Sequence, residues 1–159
     1  MSRTSLPCRN GVPGVVPLRG GGVDATEVDM RIGDTNVEAK LTEASFTSKE
    51  ISVVERYADL PEVFDQALLP RSTPVIGDAA EYLSYQLIRN VLSIARRPEA
   101  QFRVLLDGRR PDLHREWWRI HGAIRDGSLR ARCGFVLWQE LALASPAPLR
   151  EFLSLKYGL

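Results

Sequence analysis

Thr26-Glu27-Val28-Asp29-Met30-Arg31-Ile32, followed by Gly33-Asp34-Thr35-Asn36 and then Val37-Glu38-Ala39-Lys40-Leu41-Thr42-Glu43, is the stretch that decides the fold. Both arms alternate polar and apolar residues, the period of a half-buried strand, and Gly-Asp-Thr-Asn between them carries turn residues. The stretch therefore predicts a β-hairpin. Pairing Ile32 with Val37 around a four-residue turn sets Met30 against Ala39 and Val28 against Leu41, so all six apolar side chains share one face. The same register sets Asp29 opposite Lys40 and Arg31 opposite Glu38, with Glu38 diagonal to Asp29. A slip of one residue would separate Asp29 from Glu38 and Lys40 and expose half of the apolar set.

Two carboxylates and an ammonium on one small patch have two physical meanings. Carboxylates one strand apart can hold Mg²⁺, a hard cation that takes oxygen ligands and keeps several waters, and the lysine can orient a water or offset transition-state charge. That pattern points to phosphodiester hydrolysis. A solvated hairpin face with two cross-strand ion pairs, Asp29 with Lys40 and Arg31 with Glu38, accounts for the same residues and contributes about 0.2–1 kcal/mol per pair. Spacing alone leaves both open.

Asp29, eight intervening residues, then Glu38-Ala39-Lys40 preceded by Val37, resembles the PD-(D/E)xK signature of the restriction-endonuclease-like nuclease superfamily. The strings Thr-Glu-Val-Asp and Val-Glu-Ala-Lys-Leu-Thr-Glu are similar to an uncharacterised bacterial branch of it. The resemblance runs from about Ala25 to the C-terminus, and the hairpin carries its specific motif. It implies that Asp29, Glu38 and the Ala39 carbonyl bind Mg²⁺, or Mn²⁺ in its place, that Lys40 assists the attacking water, and that DNA is the substrate. It also implies a helix ahead of the first hairpin strand, for which Met1 to Asp24 offers no counterpart.

Length and composition fit one domain with a sizeable core: 159 residues, 44% hydrophobic and 26% charged. No apolar run approaches a membrane span and no secretory leader is evident, so the expected setting is cytoplasmic. Cys8 and Cys133 have no metal-ligand spacing and read as free thiols. The net charge of +1 conceals a division, because eleven acids face four bases between Asp24 and Asp65, whereas eleven arginines face five acids between Arg89 and Arg132. A basic half suits phosphate attraction, and an uneven solvated surface explains it equally well. Arginine outnumbers lysine eighteen to three, so Lys40 is a minority choice whose compact ammonium suits a hydrolytic site.

Residues 1–24 carry three prolines and five glycines without periodicity and read as a flexible or irregular lead-in to a domain over 25–159. Short helices are expected over 49–60 and 62–69. Asp78 and Glu81 form an expected capping box opening the strongest helix, 79–96, with Leu83, Leu87, Val91 and Ile94 on its apolar side. Tyr82, Gln86, Arg89, Asn90 and Arg97 lie on another face, read either as a solvated stripe or as a face turned to the site. The superfamily resemblance favours the second for Gln86, as a fourth member of the site. A buried strand over 102–107, a helix over 111–125, a strand over 134–138 and helices around Pro146 and Pro148 complete the chain, with Leu149, Phe152, Leu153 and Leu155 packing the last helix on the sheet. His114 and His121 read as ordinary residues rather than zinc ligands, and Trp118 either as a platform on which a base stacks or, as is usual for an aromatic at helical spacing, as core.

The order predicts a single α/β domain with a mixed central sheet flanked by helices, which is also the restriction-endonuclease-like architecture. The expected function is metal-dependent nuclease action through Asp29, Glu38, Lys40 and Gln86. The rival is a non-catalytic nucleic-acid or protein-binding module that keeps the fold.

Overall fold

In the computed structural model, which describes residues 7–74 and 79–159, the hairpin is strands β4 (Glu27–Ile32) and β5 (Thr35–Lys40). Gly33 at φ 56° and Asp34 close a two-residue turn, and the pairs are Ile32 with Thr35, Arg31 with Asn36 and Met30 with Val37. Glycine at the first central position permits the mirror-image turn whose twist matches the strands. The expected pairing of Ile32 with Val37 is thus corrected by two residues. A shift of two keeps the facing side chains on a common side, so alternation could not detect it.

Strand β1 (Cys8–Pro13) pairs antiparallel with β4, and β5 pairs parallel with β8 (Gln101–Leu106), which pairs parallel with β9 (Cys133–Leu137). The result is a mixed five-stranded sheet in the order β1-β4-β5-β8-β9. Two small ribbons stand beside it, β2 (Val16–Pro17) with β3 (Val23–Asp24) and β6 (Ser48–Glu50) with β7 (Glu81–Leu83). Residues 8–24, irregular by sequence, therefore carry three strands. Their periodicity is missing because β1 is an edge strand, exposed along almost all of its length.

The parallel pairs require crossovers. Helix α3 (Tyr85–Ala95) joins β5 to β8, and α4 (Pro111–Ala123) with α5 (Gly127–Arg132) joins β8 to β9. Leu87, Ile88, Val91 and Ile94 of α3 and Leu113, Trp117 and Ile120 of α4 share a buried core with Phe102, Val104 and Leu106. Phe102 and Trp117 meet edge to face at 6.0 Å. The helix expected over 79–96 starts later, since Glu81 lies in β7 and Ser84 at φ 58° breaks the backbone before Tyr85. Asp78, the expected cap, lies outside the described residues. The helices expected over 49–60 and 62–69 shrink to α1 (Ile51–Val54) and α2 (Leu60–Val63).

Helices α6 (Trp138–Ala144) and α7 (Ala147–Tyr157) end the chain. Of the residues expected to seat α7 on the sheet only Leu153 is buried, while Leu149, Phe152 and Leu155 are exposed. The sheet face away from α3 is instead an open apolar trough of about 320 Å³, lined by Met30, Ile32, Val37, Leu105, Val136 and Leu141 among others. The hairpin's apolar face is therefore its more open one, and Asn36, Glu38 and Lys40 are buried. Among the described residues no helix is long and apolar enough to cross a membrane.

Candidate active site

Alternation along β5 aims Asn36, Glu38 and Lys40 to one side, and Gln86, Asn90 and Ser93 recur at helical spacing along the α3 face above them. The two rows interlock. Gln86 Nε2 donates to Glu38 Oε1 at 2.9 Å, Asn90 Nδ2 donates to Glu38 Oε2 at 2.8 Å, and Lys40 Nζ lies 3.1 Å from Glu38 Oε1. Asn36 Nδ2 donates to Ser93 Oγ at 3.1 Å, and Ser93 Oγ donates to the Asn90 carbonyl at 2.7 Å. Apart from one oxygen of Gln86, the buried polar groups of these two rows hold one another, the condition for such a network to be tolerated.

Asp29 stands where the β4–β5 ladder stops. Its Oδ2 accepts the Ala39 N–H at 2.8 Å, taking over a bond that the ladder would otherwise supply. Continuing the register by one residue places Asp29 across from Glu38, not across from Lys40. A strand residue's N–H and C=O point to the same side, so the Ala39 carbonyl also faces Asp29. Arg89 fastens α3 to the start of β4 by donating to the Thr26 and Glu27 carbonyls. Gly14 makes room for it, because a Cβ there would lie 3.0 Å from Val28 Cγ1 and 3.3 Å from Arg89 Nη2.

Burial, and then the charge of Asp29, push the Glu38 carboxyl above its ordinary value, while Lys40 and Asn90 pull the other way. Lys40 is buried with Nζ 5.7 Å from the Phe46 ring centroid, and its own carbonyl accepts Trp138 Nε1 at 3.0 Å. Gln86 Oε1 is buried and, among the described residues, without a hydrogen-bond partner. An orphaned amide oxygen on the residue that contacts Glu38, with the Asp29 carboxylate bonded to the neighbouring Ala39 N–H, offers oxygen donors of the kind a hard divalent cation takes. No three His, Cys, Asp or Glu side chains among the described residues group as a metal cage, so a cation here would depend on the carbonyl and amide oxygens as well.

The sequence-predicted residues Asp29, Glu38, Ala39, Lys40 and Gln86 come together. The anticipated pairing of Arg31 with Glu38 does not occur, since Arg31 Nε donates to Asn36 Oδ1 at 2.8 Å. Asn36, Asn90 and Ser93 had no assigned role by sequence, and their signal is the coincidence of two periods, two along β5 and 3.6 along α3. His121 packs against Trp117 and Trp118, His114 against Phe135, and Cys133 is buried. Trp118, expected in the core, is 54% exposed.

A family model described as Restriction Endonuclease associating with ARP matches residues 11–158. The chain belongs to that family. Membership makes the domain restriction-endonuclease-like and ties it to nucleic-acid interaction in general. The match starts inside β1, so the strands that precede the hairpin belong to this restriction-endonuclease-related unit. No curated protein and no solved structure matched the chain.

Proposed function

We propose that this protein is a metal-dependent nuclease of the PD-(D/E)xK kind that hydrolyses phosphodiester bonds, with DNA as its substrate and the cytoplasm as its setting. The observation that carries the proposal is the orphaned, buried Gln86 Oε1 beside Glu38. Asp29, Glu38, the Ala39 carbonyl and Gln86 Oε1 would hold Mg²⁺ or Mn²⁺. The ion, when bound, supplies Lewis-acid polarisation of a phosphoryl oxygen and a lowered water pKa. Lys40 is a compact cation held in place by Glu38 and Phe46, able to orient the attacking water and offset charge that develops on phosphate. Asn90 keeps the Glu38 carboxylate aimed, and Arg89 keeps α3 seated over the strand.

A second reading rests on its own observation. Both Glu38 oxygens already hold donors, which suits a non-catalytic nucleic-acid or protein-binding module with a structural ion pair. Calorimetric titration with Mn²⁺ and cleavage of plasmid DNA separate the two. The nuclease predicts saturable cation binding and Mg²⁺-dependent nicking that falls about 100-fold or more in Lys40→Ala. DNA binding without cation binding or cleavage supports the module.

A further inference from the structure

At the turn end of the hairpin, on the face that carries Glu38, three arginines from separate elements converge. Arg9 of β1 and Arg31 of β4 are direct cross-strand partners, an arrangement that costs stability when both residues carry like charge. Arg97 follows the end of α3, whose face covers that edge of β5. Arg31 makes no ion pair among the described residues: Nε donates to Asn36 Oδ1 and Nη2 to the Pro13 carbonyl at 3.4 Å. Arg97 touches Asp34 at 3.4 Å and Glu99 at 3.2 Å, both exposed partners worth little in water. Arg96 is engaged elsewhere, by Asp59. Arg31, Arg96, Arg97, Ser93 and the ring of Pro13 line a cavity of about 270 Å³.

We propose that this arginine cavity is a phosphate-binding subsite, taking either a backbone phosphate of a nucleic-acid strand or a free phosphate group. Three observations support it: Arg31 and Arg97, whose acidic neighbours are at most exposed ones, a guanidinium whose Nε is fixed by Asn36 so that its remaining N–H groups are presented, and a cavity that both arginines line. Guanidinium forks match phosphate oxygens bidentately. Asn36 lies two residues from Glu38 on β5, about 7 Å along the strand, so a strand held here runs past the candidate active site. The polymer source rests on the nuclease reading, and the free-phosphate source does not.

The test uses the full chain in EDTA, so that catalytic competence plays no part. A labelled single-stranded oligonucleotide is titrated by anisotropy into wild type, Arg31→Gln, Arg97→Gln and, as a charge-matched control outside the cavity, Arg150→Gln at an exposed position of α7. Melting temperatures are measured with inorganic phosphate and with chloride at equal ionic strength. The expected result is binding weakened about 5- to 10-fold in Arg31→Gln and Arg97→Gln, with the salt slope reduced by about one phosphate contact, and unchanged in Arg150→Gln. Phosphate should raise the melting temperature of the wild type and not of Arg31→Gln, whose own unliganded melting temperature stays at or above wild type because Arg9 loses a like-charged neighbour. Weakened oligonucleotide binding in the two arginine variants identifies the polymer source, and phosphate stabilisation alone identifies the free group. Wild-type oligonucleotide affinity in both variants together with no phosphate effect on the wild type overturns the subsite.

Discussion

Glu38 is a buried acid whose carboxyl is pushed above its ordinary value by burial and by Asp29. The folded state therefore binds its proton more tightly than the unfolded chain does, and the stability contributed by this group is lost as pH rises from the ordinary value of 4.5 through the folded one. A divalent cation competes with that proton. The rise in melting temperature on adding Mg²⁺ should consequently grow as pH rises across that window, and it should vanish in Glu38→Gln; thermal shift at a series of pH values reads it. Asn90 supplies the only side-chain amide on Glu38 Oε2 among the described residues. Asn90→Ala leaves a buried carboxylate oxygen short of a donor and should cost about 2 kcal/mol in urea denaturation.

At the scale of elements, what was legible in the sequence were the pieces with a strong period: the hairpin, α3, β8, α4 and β9. Their faces decided which side chains could meet, so Glu38 and Lys40 were legible as neighbours on one strand, whereas Gln86 was assigned to the site by the superfamily resemblance and not by its period. The hairpin register was not, because a displacement of two residues leaves the facing pattern intact and only the turn geometry at Gly33 distinguishes the two. Strand β1 was invisible for another reason, since an edge strand with exposed residues has no apolar alternation to read. The burial of Asn36, Glu38 and Lys40 ran against the usual assignment of apolar faces to the core. Helix α3 meets them with amides and a hydroxyl, so polar residues form part of the interior. Gly14, just past β1, lets Arg89 reach the start of β4. Gly14→Ala should cost about 1–3 kcal/mol, measured by the urea midpoint with the Arg89→Gln variant as its companion, and the two losses should not add.

For the whole molecule, one side of the sheet is closed by a core around Trp117, Phe102 and Leu87, and the other keeps an open apolar trough. Trp117→Ala should cost about 3–5 kcal/mol, whereas Leu155→Ser on α7, 90% exposed, should change stability by less than about 0.5 kcal/mol; denaturant unfolding of the two variants compares the closed core with the exposed face of α7. The site sits under α3 on the closed side, at the junction of the antiparallel hairpin and the parallel pair, where Asp29 marks the point at which two strands stop pairing. Asp29 is exposed, and an asparagine can still accept the Ala39 N–H, so Asp29→Asn alters charge and leaves the scaffold alone. The most direct measurement is the nicking of supercoiled plasmid with Mg²⁺ by wild type and Asp29→Asn, with melting temperatures taken alongside. Nicking by the wild type, lost in an equally stable Asp29→Asn and absent in EDTA, is the predicted result; a wild type that binds DNA but leaves it intact with both Mg²⁺ and Mn²⁺, or an Asp29→Asn variant that nicks as fast, contradicts it.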